Sequence, residues 1–137
     1  MKIPLARSKV SDEEAAAISR VIDRGRLALG PEVKAFEEEF ASWLAVHGAV
    51  ATNSGTSALI AALRAVGVGL GDEVVIPALT FVATANAVLN CGARPVLVDV
   101  DKDSWNLDPD AVAAAIGEDT KAIICLLYTS PSPRDRG

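Results

Sequence analysis

Aromatic side chains are scarce in this 137-residue chain, at 4%, so a core must be built mainly from Val, Ile, Leu and Ala. Cysteine is nearly absent. Cys91 and Cys125 have no metal-like spacing, which gives no support to a disulfide framework or a zinc site and predicts a reduced, cytoplasmic protein. An excess of basic charge is also missing. A net charge of -5 argues against a nucleic-acid or anionic-membrane surface. No run approaches the ~20 apolar residues that a membrane span requires. The charged start, Met1-Lys2-Ile3-Pro4-Leu5-Ala6-Arg7, lacks the apolar segment that would make it a signal peptide. Half of the residues are apolar, and the length suits one globular domain.

The stretch around which the chain is organised is Ala49-Val50-Ala51-Thr52-Asn53-Ser54-Gly55-Thr56-Ser57-Ala58-Leu59. A short apolar run meets small polar residues and a glycine, and an alanine- and leucine-rich helical pattern follows. The pattern predicts a strand ending in a tight turn that opens a helix. The first N–H groups of a helix have no internal partner and lie at the positive dipole end, where they suit a phosphate. Ser54, Thr56 and Ser57 add hydroxyls, and Gly55 permits close backbone approach. An ordinary Ser/Thr helix cap explains the same residues without a ligand.

Taken in order, Ser11-Asp12-Glu13-Glu14 predicts a capping box, with Ala15, Ile18 and Ile22 on one face of a helix running to Arg24. The sequence 25–30 breaks that helix. Pro31 suits the start of the next, where Val33, Phe36, Phe40 and Leu44 form an apolar stripe. Glu37-Glu38-Glu39 reads as a solvated helix face. Strands then alternate with helices: strand 49–52, helix 56–66 stopped by Gly67, strand 73–76, helix 81–89 stopped near Gly92, strand 95–98, helix 109–116 capped by Asp108, and strand 121–126. This is an α/β pattern, a mainly parallel sheet flanked by helices on both faces. Ligands of such sheets bind at the carboxyl ends of strands, where Thr52–Ser57 and Thr80-Phe81 both fall.

Three features imitate sites. Gly67-Val68-Gly69-Leu70-Gly71-Asp72 resembles a dinucleotide fingerprint, but it ends a helix rather than a strand, and Asp72 holds the last glycine position. Asp99, Asp101 and Asp103 begin like a calcium loop, yet Ser104 replaces the glycine and Asp110 the final glutamate, so no metal site is expected. His47 has no partner at useful spacing and is expected at the surface. Cys91 is expected to be a small buried apolar group.

Together the segments resemble the DegT/DnrJ/EryC1/StrS family of pyridoxal-phosphate aminotransferases, many of which act on nucleotide-linked keto-sugars. The resemblance lies in Ile3-Pro4-Leu5, Gly30-Pro31-Glu32-Val33, Phe36-Glu37-Glu38-Glu39-Phe40, Thr52-Asn53-Ser54-Gly55-Thr56-Ser57-Ala58-Leu59, Gly71-Asp72-Glu73-Val74-Val75-Ile76-Pro77, Thr80-Phe81-Val82-Ala83-Thr84-Ala85-Asn86-Ala87-Val88, Pro95-Val96-Leu97-Val98-Asp99-Val100-Asp101 and Asn106-Leu107-Asp108-Pro109. These keep the family's order and spacing. The resemblance implies that Gly55, Thr56 and Ser57 cradle the phosphate of pyridoxal 5′-phosphate, and that Phe81 stacks on its pyridine ring. From the residues alone, a core aromatic is the plainer reading of Phe81. The loop 27–31 matches part of the family's substrate entrance. The implied fold is part of the large domain of fold-type I aminotransferases, which work as homodimers.

Amino transfer needs a lysine that forms a Schiff base with the cofactor, and a carboxylate against the pyridine nitrogen. None of Lys2, Lys9, Lys34, Lys102 and Lys121 matches the family's lysine. Asp99 and Asp101 match its strand-end aspartates, not the pyridine partner. The resemblance stops near Ile124. The segment 125–137 is expected to be a disordered, non-native tail, and 1–124 the N-terminal part of the large domain. The expected function of the parent protein is transfer of an amino group from an amino acid, glutamate by analogy, to a keto-sugar nucleotide. A sugar dehydratase relative and a non-catalytic binding or regulatory module on the same fold are the alternatives.

Overall fold

The computed structural model describes residues 10–125. The expected tail beyond Cys125, the last residue of the expected final strand, and Lys2 and Lys9 lie outside the described residues. The chain forms two compact units, one reaching to Ala51 and the other starting at Thr52.

The first unit carries two helices, α1 (Asp12–Asp23) and α2 (Pro31–Leu44). The Ser11 capping box forms as expected: the Ser11 side chain accepts from the Glu13 N–H, and the Ser11 N–H donates to Glu14 Oε2 at 2.6 Å. The Ser11 hydroxyl and then its N–H, both donating to Glu14, hold that carboxyl below its ordinary pKa. Pro31 opens α2, and Ala45 ends it in the left-handed region at φ 54°. The stripe on α2 brings Phe36 to Phe40 at 5.7 Å and Phe40 to Trp43 at 6.0 Å between ring centres. Those rings remain exposed, and only Ala41 of the helix is buried.

Two expectations fail here. Residues 49–52 belong to no strand of the sheet, and Val50 is 84% exposed. A strand exists only through a neighbouring ladder, and the Ala51 N–H donates instead to Glu37 Oε1 at 2.8 Å. Glu37 is therefore not one of a run of solvated charges. It is half-buried and holds a backbone donor, while Glu38 and Glu39 are exposed.

The second unit is the expected α/β arrangement. Helix α3 (Gly55–Ala65) leads to β1 (Glu73–Pro77), α4 (Ala83–Asn90), β2 (Arg94–Val98), α5 (Pro109–Ala115) and β3 (Thr120–Ile123). The strands form one sheet in the order β2-β1-β3, with both pairings parallel. In the central strand Val74, Val75 and Ile76 are fully buried. Because successive strand residues point to opposite faces, β1 is covered on both. On one face Val74 and Ile76 pack with Leu63, Val68, Ala87, Val88 and Ala93, joining β1 to α3 and α4. The segment 67–72 is the expected helix stop, with Gly67 at φ 80° and Asp72 Oδ2 accepting from the Gly69 N–H at 2.8 Å. Asp108 caps α5 by accepting from the Asp110 N–H at 2.9 Å. Beyond β1 the Ala78 N–H donates to the Val98 carbonyl at 2.8 Å. This carries the pairing one residue past the strand and fixes where the 78–82 loop departs.

Candidate cofactor groove

The site is assembled at the start of α3. Ser54 is the N-cap residue, extended at φ −162° and ψ 157°. Its hydroxyl oxygen accepts from the Ser57 N–H at 3.1 Å. The Thr52 hydroxyl donates to the Ser54 carbonyl at 3.0 Å, and the Ser57 hydroxyl donates to Asn53 Oδ1 at 2.7 Å. The turn 52–57 is thus tied together by its own side chains before any ligand arrives. The N–H groups of Gly55 and Thr56 open the helix and have no partner among the described residues. A Cβ placed on Gly55 would meet nothing within 4 Å, so the space above this backbone is open.

That space belongs to a groove of about 810 Å³. Gly55 and Thr56 line it from the start of α3, Leu59 and Ala62 from further along the helix, Phe81 from the loop before α4, and Thr84 from the first turn of α4. Among the described residues, no lining side chain carries a charge. An anion bound here would be held by amides, hydroxyls and the helix dipole, which suits a phosphate on an otherwise apolar ligand.

The sequence-expected residues are placed unequally. Gly55, Thr56 and Phe81 come together in the groove, although Phe81 is reached only through α3 and β1. Phe81 is 62% exposed, so it is not a core aromatic. It sits in the loop ahead of α4, which starts at Ala83 rather than at Phe81 as expected. Ser57 does not line the groove; its N–H and hydroxyl are both engaged within the turn. His47 is exposed as expected, and Cys91 is half-buried against the core with Sγ 3.9 Å from the Ile60 carbonyl oxygen.

Of the acidic triplet, Asp101 spends its carboxylate on the loop backbone. It accepts from the Ser104 N–H at 2.8 Å and the Asp103 N–H at 3.2 Å. Ser104, the stronger contributor, holds its pKa below the ordinary value. Sequence reasoning missed Thr84, which is 1% exposed and bonded hydroxyl to hydroxyl with Thr80 at 3.1 Å. The only signal was the spacing of four residues between two threonines astride Phe81.

Comparison with known proteins bears on this geometry. The model of the DegT/DnrJ/EryC1/StrS aminotransferase family matches residues 8–129. The chain is 43% identical over 136 residues to dTDP-3-amino-3,4,6-trideoxy-alpha-D-glucose transaminase of Streptomyces venezuelae, covering 98% of this chain and 36% of that protein. The crystal structure of DesV from the same organism superposes with a TM-score of 0.83 at 46% identity, covering 90% of this chain and 34% of that one. NtdA from Bacillus subtilis, solved with the cofactor PMP bound, gives a TM-score of 0.79 at 36% identity, covering 83% and 26%. The chain spans about a third of the length of the curated relatives it matches.

Proposed function

We propose, from the premise that this chain belongs to the DegT/DnrJ/EryC1/StrS aminotransferase family, that it supplies the phosphate cradle and ring-stacking wall of a pyridoxal 5′-phosphate site. The observation that carries this reading is the convergence of the free Gly55 and Thr56 amides and the exposed Phe81 ring on one uncharged groove. Gly55 and Thr56 donate their N–H groups to the phosphate, and Thr56 also lines the groove. Ser57 belongs to the cradle by holding the turn, with its own N–H and hydroxyl tied to Ser54 and Asn53. Phe81 sets the plane of the cofactor ring by stacking, and Leu59 and Ala62 keep water from the groove's apolar wall. When bound, the cofactor supplies the electron sink that amino transfer requires.

The whole protein, in this reading, moves an amino group from an amino-acid donor, glutamate by analogy, to a nucleotide-linked keto-sugar, and works as a homodimer in the cytoplasm. The transaminase relative, named for a dTDP-amino-sugar, supports the substrate class. None of Lys34, Lys102 and Lys121 lines the groove. We therefore assign no catalytic lysine among the described residues, and incubation with cofactor, glutamate and a keto-sugar nucleotide should give no amino sugar by mass spectrometry. Donor-dependent product would defeat that assignment.

The cradle is tested by calorimetric titration of the chain with pyridoxal 5′-phosphate and with pyridoxal. Two charge-assisted hydrogen bonds to the phosphate should make the phosphorylated ligand bind about a hundredfold more tightly. Equal affinities would remove the phosphate from the start of α3.

A further inference from the structure

We infer that Thr84, working through Thr80, is a positioning residue that sets the direction of the Phe81 ring. The inference rests on the cofactor reading of the groove. Phe81 stands in a loop and is 62% exposed, so packing does little to orient its ring. Its direction must come from its backbone. That backbone has no conventional helix cap to hold it, because the N-cap of α4 is Val82, which offers no side-chain hydrogen bond.

Thr84 supplies the restraint twice over. Its N–H donates to the Phe81 carbonyl at 3.0 Å, and its hydroxyl meets the Thr80 hydroxyl at 3.1 Å. The two contacts hold the Phe81 carbonyl and the side chain of the preceding Thr80 from a single residue that is 1% exposed and lines the groove. Either hydroxyl can be the donor of this bond, which joins the buried Thr84 to the half-buried Thr80. With the loop fixed before the cofactor arrives, less ordering of Phe81 remains to be done on binding.

The test is a double-mutant cycle on the 137-residue chain. Affinity for pyridoxal 5′-phosphate is measured by calorimetry and Tm by thermal unfolding for Thr84→Val, Thr84→Ser, Phe81→Leu and the Thr84→Val/Phe81→Leu pair. Loss of the hydroxyl pair should weaken binding about three- to tenfold. Thr84→Ser should restore it, and Thr84→Val should add nothing once Phe81 is leucine. Should Thr84→Val not fold, Thr80→Val removes the same pair from its half-buried side, leaves the buried Thr84 hydroxyl without that partner, and should weaken binding at least as much. An equal loss with and without Phe81 would make Thr84 merely structural and overturn the inference, as would unchanged affinity in Thr84→Val. A Phe81→Leu chain that binds like the parent would instead overturn the stacking reading beneath it.

Discussion

Replacing Gly55 by valine should weaken pyridoxal 5′-phosphate binding about a hundredfold while leaving the folded chain close to its original stability. The first N–H groups of α3 must approach a phosphate oxygen to hydrogen-bond distance. A branched side chain at Gly55 stands in the open space above them. Each charge-assisted hydrogen bond lost is worth about 1.5–3 kcal/mol, and about 1.4 kcal/mol is tenfold in affinity. The same openness means that the substitution meets no atom of the chain itself at its Cβ. The backbone at Gly55 is helical, where glycine is if anything the less stable choice. Tm should then move by less than about 4 °C, a change of roughly 1 kcal/mol. Calorimetric titration beside thermal unfolding separates the two effects. Full affinity in the variant would place the phosphate elsewhere.

Ile76→Ala should be the most damaging single truncation in the second unit. Ile76 lies in the central strand with no exposure and packs among Leu63, Ala87 and Val88, so the strand and both helices that bound the groove share the cavity. Truncating a buried isoleucine to alanine costs about 2–5 kcal/mol, a large part of the 5–15 kcal/mol typical of a domain. Leu97→Ala, on the edge strand β2 where the residue is 65% exposed, should cost well under half as much. Urea denaturation of the two variants decides the matter. Equal losses would mean that β1 is not the centre of the core.

The effects are separable because the groove and the core use different kinds of contact. The core packs apolar side chains from β1, α3 and α4. The cradle uses backbone groups that helix geometry leaves unpaired whether or not a ligand is present. A change at Gly55 alters what may approach those groups, whereas a change at Ile76 alters whether α3 and α4 are held against the sheet at all.

The sequence by itself determined the features whose causes lie within a few residues. The Ser11 capping box, Pro31 at the start of α2, the stop at Gly67 and the Asp108 cap all depend on neighbouring backbone and side-chain atoms, and all appear where their residues predict them. The opening of α3, at Gly55 against the expected 56, belongs with them, and so does the parallel α/β pattern, because Val- and Ile-rich strands alternate with amphipathic helices. Tertiary structure alone decided what depends on distant partners. Residues 49–52 have the composition of a strand, but pairing needs a neighbouring strand, and the Ala51 N–H goes to Glu37 instead. Phe81 could have filled the core or faced a ligand, since an aromatic ring suits both. The paths of α3 and β1 left it exposed beside Gly55 and Thr56. The burial of Thr84 and its bond to Thr80 were likewise hidden, because exposure is a property of the packed chain and leaves no mark on the identity of a threonine.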